Sequence, residues 1–139
     1  MSARSLAALD AQEACMAGAF AAGEVARTRD LYRTDVVYVS PTTRLFGWPA
    51  RIEGVERTLE FIELTVRGLG RIDYVVQARA LVPGGGAFVK VRFDFDMAQD
   101  RLRSTYVVLY RHDDDGRIAR QELYYDPSGV LERLGDATT

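Results

Sequence analysis

Residues 87–97 read AFVKVRFDFDM, and this stretch alternates between apolar and polar side chains. Successive side chains point to opposite faces of a β-strand, so the alternation predicts a strand with one apolar and one ionic face. The apolar face carries Val89, Val91, Phe93 and Phe95. The ionic face carries Lys90, Arg92, Asp94 and Asp96. We expect the apolar face to cover a core and the ionic face to look away from it.

The second half of the chain predicts an antiparallel sheet around this strand. The segments PGGG at 83–86 and DDDG at 113–116 are typical of tight turns, because glycine and aspartate accept the backbone angles that turns require. The other predicted strands cover residues 71–82, 103–111 and 117–125.

The first half of the chain predicts helices. A first helix begins at a cap formed by Ser2 or Ser5 and ends at Gly23, because glycine adopts the left-handed backbone of a helix end. Apolar residues near helical spacing indicate its buried side: Leu6, Leu9, Met16 and Phe20. The remaining predicted elements are a short helix over 24–32, a strand over 36–39, an irregular loop over 42–51, a helix over 55–67 and a short terminal helix that begins at Asp126.

Length and composition indicate one globular domain over residues 1–139. A chain of 139 residues that is 47% hydrophobic can bury a substantial core, and it has the size of a single domain. Helices followed by strands predict an α+β fold. We expect the N-terminal helices to pack on the concave face of a curved, mainly antiparallel sheet.

Composition also argues against several functions. Cys15 has no cysteine partner for a disulfide, and His112 has no second histidine for a metal site; we expect Cys15 in the core and His112 on the surface. With 18 basic and 20 acidic residues, the net charge of −2 gives no reason to expect nucleic acid or a membrane surface as a partner. No apolar stretch approaches a membrane span. Asp10 and Glu13 precede the apolar segment 14–22 and argue against a signal peptide, so we expect a cytoplasmic protein.

Polar and aromatic side chains lie among apolar residues at two places in the predicted sheet. One group brackets the first strand: Tyr32, Tyr38, Ser40 and Trp48. A second group lies on the last two strands: Thr105, Gln121 and Tyr125. Alternation indicates which apolar residues share their faces: Val107 and Leu109 with Thr105, and Leu123 with Gln121 and Tyr125. Such groups either satisfy one another in a packed core or line a mostly apolar pocket, and the pattern alone favours neither.

Short segments along nearly the whole chain match one fold family in their order and spacing. They are AGE at 22–24, LY at 31–32, DV at 35–36, SP at 40–41, IEGVE at 52–56, DGRI at 115–118 and YYDP at 124–127. In these segments the chain resembles the cone-shaped α+β fold of nuclear transport factor two, which ketosteroid isomerases and SnoaL-like polyketide cyclases share. This fold hosts isomerases, cyclases, hydrolases, scaffolds and pure binders, so the resemblance does not identify a reaction.

The resemblance implies that the proton-transfer residues of ketosteroid isomerases are replaced. Their catalytic aspartate falls at Ser40, their oxyanion-hole tyrosine at Met16, and their protonated aspartate at Thr105. Only their supporting tyrosine is kept, at Tyr32. A serine hydroxyl without an adjacent base does not abstract a carbon-bound proton near neutral pH, so we do not expect that chemistry here.

The resemblance implies instead a pocket for a hydrophobic, ring-sized molecule. We expect a cyclase or isomerase of polyketide-type antibiotic biosynthesis that folds its substrate and places hydrogen-bond donors on it, without cofactor or metal. The expected catalytic residues are Tyr32, Ser40 and Gln121. The expected substrate-binding residues are Met16, Tyr38, Trp48, Val89, Val91, Phe93, Thr105, Val107, Leu109, Leu123 and Tyr125. The alternatives are a non-catalytic binding or interaction protein, or a carboxylate-based epoxide hydrolase or cyclase that uses Asp94, Asp96 or Glu63.

The outer face of the predicted sheet combines aromatic and charged side chains. It is expected to carry Tyr106, Val108, Tyr110 and Tyr124 beside Lys90, Arg92, Asp94, Asp96, Arg120 and Glu122. So many aromatic residues are unusual on a solvated face, and the face resembles the homodimer surface common in this superfamily. We therefore expect a homodimer through the outer face.

Overall fold

The computed structural model describes residues 5–126 and 131–137. Helix α1 (Leu6–Ala22) begins at Ser5, whose hydroxyl accepts a hydrogen bond from the backbone N–H of Ala8 at 3.0 Å. It ends at Gly23, which has the left-handed φ of 69° expected of a glycine cap. Both predicted ends of this helix are therefore confirmed, with Ser5 as the cap.

Seven strands form one curved, mostly antiparallel sheet. They are β1 (Tyr32–Val39), β2 (Arg51–Glu53), β3 (Gly70–Val82), β4 (Gly86–Met97), β5 (Asp100–His112), β6 (Ile118–Tyr124) and β7 (Glu132–Asp136). The order across the sheet is β2-β1-β6-β5-β4-β3, and β7 pairs with β5 outside this path. Strands β1 and β6 run parallel, and every other described pair is antiparallel.

The helices cover the concave face of this sheet. Helix α1 packs against β3, and helix α2 (Val55–Val66) packs against β1. The core lies between them, and the apolar face of β4 belongs to it, with Val89 and Val91 fully buried and Lys90 exposed. The predicted orientation of β4 is therefore confirmed, and so is the predicted α+β cone.

The inward and outward faces of strand β5 are the reverse of those we predicted. Tyr106, Val108 and Tyr110 point into the cone, so the three outward residues are Thr105, Val107 and Leu109. The cause is the pairing with β4, because residues paired directly across two strands share a face and Val91 pairs with Tyr106. Strand β5 is apolar on both faces, so its own alternation does not determine which face is buried. The aromatic residues expected on the outer face are thereby reduced to Tyr124.

Several smaller elements differ from the sequence prediction. The short helix expected over 24–32 is a 3-10 helix over Val25–Leu31, and β1 begins earlier than expected, at Tyr32. A second 3-10 helix, Thr43–Phe46, lies in the predicted irregular loop. Strands β2 and β7 were not predicted. The terminal helix expected after Asp126 falls on residues 127–130, which lie outside the described residues.

Neither α-helix in residues 5–126 and 131–137 combines the length and apolar character that a membrane crossing requires. The same residues contain no group of three His, Cys, Asp or Glu side chains placed to hold a metal ion.

Candidate functional site: an apolar cavity in the cone

A cavity of about 260 Å³ lies between the helices and the concave face of the sheet. A cavity of about 150 Å³ holds benzene, so this one has room for a substituted ring. Most of its wall is apolar, and none of the described lining residues is charged. The polar atoms of the wall come chiefly from Gln121 and from six tyrosines: Tyr32, Tyr38, Tyr74, Tyr106, Tyr110 and Tyr125.

Tyr32 and Gln121 form a buried hydrogen-bonded pair on the cavity wall. The parallel pairing of β1 with β6 brings the two side chains together, and the Tyr32 hydroxyl donates to Oε1 of Gln121 at 2.7 Å. Burial raises the pKa of Tyr32 well above its usual value, so this phenol keeps its proton. The Gln121 amide nitrogen has no hydrogen-bond partner among residues 5–126 and 131–137, so Gln121 offers an N–H donor to a ligand.

A second polar group lies where β1 ends. The Tyr125 hydroxyl lies 2.7 Å from Oγ1 of Thr42, and Oγ of Ser40 lies 2.9 Å from the same atom. Tyr125 and Thr42 line the cavity, whereas buried Ser40 is not part of its described wall. Ser40 therefore contacts these two hydroxyl groups and acts on the cavity only through them.

Glu13 is a buried carboxylate that the sequence analysis missed as a site residue. Its side chain on α1 is 3% exposed, and the Tyr74 hydroxyl donates to Oε1 at 2.6 Å. Nε2 of Gln12 donates to the other carboxylate oxygen at 3.0 Å. The sequence signal was present, because Glu13 lies four residues after Leu9 and three before Met16 and so falls on the buried side of the helix.

His112 is part of the same buried network, so its predicted surface position was wrong. The residue is 6% exposed, and its Nε2 lies 2.8 Å from Oε1 of Gln12. Because the Gln12 amide nitrogen donates to Glu13, its oxygen accepts from the N–H of His112. The hairpin turn beside His112 suggested exposure, but β5 extends to this residue and its ring faces inward.

The remaining cavity tyrosines are neutral hydrogen-bonding groups. Burial is the main cause that raises the pKa of Tyr74, Tyr106 and Tyr110 well above its usual value. The charge of Glu13 contributes to each of these shifts and to that of Tyr32. Burial also raises the pKa of Tyr38. At neutral pH the cavity wall therefore presents protonated phenols under the field of one carboxylate.

The predicted site residues fall into four groups. The cavity wall includes Met16, Tyr32, Tyr38, Phe93, Gln121, Leu123 and Tyr125. Three others lie near the cavity without lining its described wall: Ser40, Val89 and Val91. Trp48 packs instead on Phe61, with the Arg57 guanidinium 4.6 Å from its ring centre. Thr105, Val107 and Leu109 point to the outer face of β5 and do not line the cavity, which corrects our prediction for these three residues.

Comparison with protein families identifies this chain as a member of the SnoaL-like domain family, whose model matches residues 13–121. The sequence resemblance to this family is thereby confirmed. No curated protein matches the chain.

Solved structures share the fold at low sequence identity. A Burkholderia thailandensis SnoaL-like protein of unknown function has a TM-score of 0.70 at 13% identity, covering 88% of this chain and 98% of its own. A Catenulispora acidiphila protein with a ketosteroid isomerase-like fold, in complex with trimethylamine, has a TM-score of 0.68 at 13% identity over 84% and 86% of the two chains. An LEH-like epoxide hydrolase from M. tuberculosis has a TM-score of 0.62 at 17% identity over 84% and 80% of the two chains. These likenesses concern the fold alone.

Proposed function

We propose that this chain is a cytoplasmic enzyme that binds a hydrophobic, ring-sized molecule in the cone cavity and cyclises or isomerises it, with polyketide-type metabolites as the substrate class. The observation that carries the proposal is the cavity itself: about 260 Å³, mostly apolar, with the amide NH2 group of Gln121 oriented by Tyr32. A few oriented polar groups in an apolar cavity are typical of small-molecule sites.

Gln121 is the group best placed to act on a polarised carbonyl. Its oxygen is held by the Tyr32 hydroxyl, which fixes the orientation of the amide and leaves its N–H available. A donor that is already oriented stabilises negative charge on a carbonyl oxygen without reorganisation. The apolar walls hold a flexible substrate in a folded conformation, which lowers the entropic part of the barrier to ring closure.

The positions of this chain that align with the catalytic residues of ketosteroid isomerases place no carboxylate in the cavity. Met16 lines the wall, and Ser40 is a buried hydroxyl. Thr105, which the sequence resemblance aligned with the protonated aspartate, faces outward, and the inward residues beside it are Ser104 and Tyr106. The proposal therefore assigns catalysis to positioning and hydrogen bonding.

The test is turnover of a panel of hydrophobic ketones and their open-chain precursors, followed by liquid chromatography with mass detection. Isomerisation leaves the mass unchanged, and an aldol cyclisation with dehydration removes one water. Because the described wall holds no base, water that enters the cavity takes the proton that leaves carbon in either reaction. We expect Gln121→Leu to lower kcat about 100-fold, as the loss of an oriented donor does elsewhere. Tyr32→Phe should have a smaller effect in the same direction. Thr105→Val changes an outward side chain and serves as the matched control; equal rates in all four proteins would reject the assignment.

A non-catalytic binding protein is the second candidate. It is favoured by one observation: the described cavity wall contains no Asp, Glu, His, Cys or Lys. In that case ligands should raise the melting temperature and be recovered unchanged, and no member of the panel should be converted.

Carboxylate-based epoxide hydrolysis has less support from the geometry. Asp94 lies on the outward face of β4, where Arg103 donates to its two oxygens at 2.8 and 3.0 Å, and these hydrogen bonds lower the pKa of Asp94. Asp96 pairs with Arg101, and Glu63 is partly exposed beside Arg67. None of the three lines the described cavity.

A further inference from the structure

Glu13 places a negative charge one hydrogen bond behind the cavity wall. The 2.6 Å distance from the Tyr74 hydroxyl is in the range of a hydrogen bond between a hydroxyl and a carboxylate anion. The charge acts beyond Tyr74, because it contributes to the raised pKa of Tyr32, Tyr106 and Tyr110. The described wall itself carries no charged residue, and the Glu13 carboxylate lies one hydrogen bond behind Tyr74.

Two tyrosine hydroxyl groups on this wall donate their protons to other residues. A phenol has one proton; that of Tyr74 is donated to Glu13, and that of Tyr32 to Gln121. Tyr32 therefore offers oxygen lone pairs to a ligand, whereas the Tyr74 oxygen already has the Tyr110 hydroxyl as a hydrogen-bond partner. The Tyr32 oxygen suits a ligand that donates hydrogen bonds.

Aromatic rings form the wall beside Tyr74. Phe20 stacks on Tyr74 with ring centres 5.5 Å apart and meets Phe93 edge-on at 5.6 Å. Tyr106 lies 6.3 Å from Phe93, and all four rings line the cavity. The faces of aromatic rings attract cations, and this attraction is stronger in a site that excludes water.

We propose that the ligand of this cavity carries a compact organic cation, such as a protonated amine on a hydrophobic body, which lies among Phe20, Tyr74, Phe93 and Tyr106 with Glu13 as its counter-charge. The inference rests on the proposed function in so far as it uses the same cavity, and it narrows the substrate class. A neutral ligand of the same shape gains the same apolar contacts but nothing from the field of Glu13.

The experiment compares benzylamine with benzyl alcohol at pH 7. The two probes are nearly isosteric, and only the amine is charged. Binding is followed by NMR titration of the Met16 methyl group, which lies on the cavity wall, with the exposed Met97 methyl as an internal control. We expect the amine to bind about tenfold more tightly than the alcohol.

Glu13→Gln removes the charge and keeps an acceptor for Tyr74, and its melting curve checks that the variant is folded. In this variant the amine should lose its advantage while the Kd of the alcohol stays within about twofold.

Equal binding of both probes to the wild-type chain overturns the cation proposal and leaves the proposed function intact. An amine preference that survives Glu13→Gln overturns the role of Glu13. If neither probe shifts the Met16 signal, both the cation proposal and ligand binding in the cavity are contradicted.

Discussion

The hydroxyl protons of Tyr32 and Tyr74 are each held by a single buried acceptor, Gln121 and Glu13 respectively. Together with Tyr38, Tyr106 and Tyr110, they make five phenols whose pKa burial raises above its usual value. In an unfolded chain the same phenols titrate near pH 10. Protonation of these residues is therefore linked to folding.

The linkage predicts loss of stability in alkali. Below pH 10 the phenols are neutral in both states and the full stabilisation is present; above pH 10 the unfolded chain releases protons that the folded protein retains, so the free energy of unfolding falls. Each such tyrosine contributes about 1.4 kcal/mol per pH unit to the slope. Urea unfolding between pH 8 and 11 measures this slope. Tyr106→Phe should reduce the slope by the contribution of one tyrosine, about 1.4 kcal/mol per pH unit. Native tyrosines that ionise near pH 10 without a change in stability would contradict it.

Strands β4 and β5 show which features of a strand the sequence determines. In β4 the apolar and ionic residues alternate, so its buried face was predicted correctly. In β5 apolar residues occupy both faces, and the face was set by pairing with β4, which no pattern within β5 reveals. This difference explains why the predicted face was right for Phe93 on β4 and wrong for Tyr106 on β5.

Two adjacent valines test this orientation of β5. Val108 is 1% exposed, whereas Val107 is half-buried on the outward face. Val108→Lys places a charge in the core, and we expect it to lower the free energy of unfolding by at least about 3 kcal/mol. Val107→Lys introduces the same side chain one position away on the outward face and, with both variants compared in the Phe88→Glu background that we expect to be monomeric, should cost no more than about 1 kcal/mol. Chemical denaturation of both variants gives the comparison; the reverse order of stabilities would mean that the register is displaced by one residue.

The other features that the sequence analysis did not predict also have physical causes. Strand β7 is five residues long with little alternation, and it exists because it pairs with the start of β5. Gln12 reads as an ordinary polar residue of a helix, and only its tertiary contact with His112 shows that it is buried. Glu13 falls on the apolar side of the helix, but no pattern within α1 reveals its contact with Tyr74. Helix ends depend on local chemistry, so the caps at Ser5 and Gly23 were predicted; contacts between distant segments were not.

At the scale of the molecule, the outer face of the sheet still supports the proposal of a homodimer, although Tyr106, Val108 and Tyr110 do not belong to it. Phe88 is 40% exposed and pairs with Leu109, and Tyr124 is 52% exposed and pairs with Val107. These four side chains share the outward face with Lys90 and Arg92. Apolar and aromatic groups among charged ones are typical of association surfaces.

We expect a dimer mass in sedimentation experiments at micromolar concentration. Phe88→Glu should shift the population to monomer, because it places a like charge from each copy in a shared interface. Leu45→Glu, at an exposed position outside the sheet, should leave the mass unchanged. A monomeric wild-type protein at these concentrations would refute the dimer.

Leu131, just before β7, contributes to the wall of the cavity although it follows all the other described lining residues in the sequence. Its position depends on the short pairing of β7 with the first residues of β5, whereas the rest of the sheet closes without it. Substitutions in this last segment can therefore reshape the ligand space while the core stays intact. The size and shape of the molecule that fits can therefore be tuned at β7 without rebuilding the scaffold that holds it.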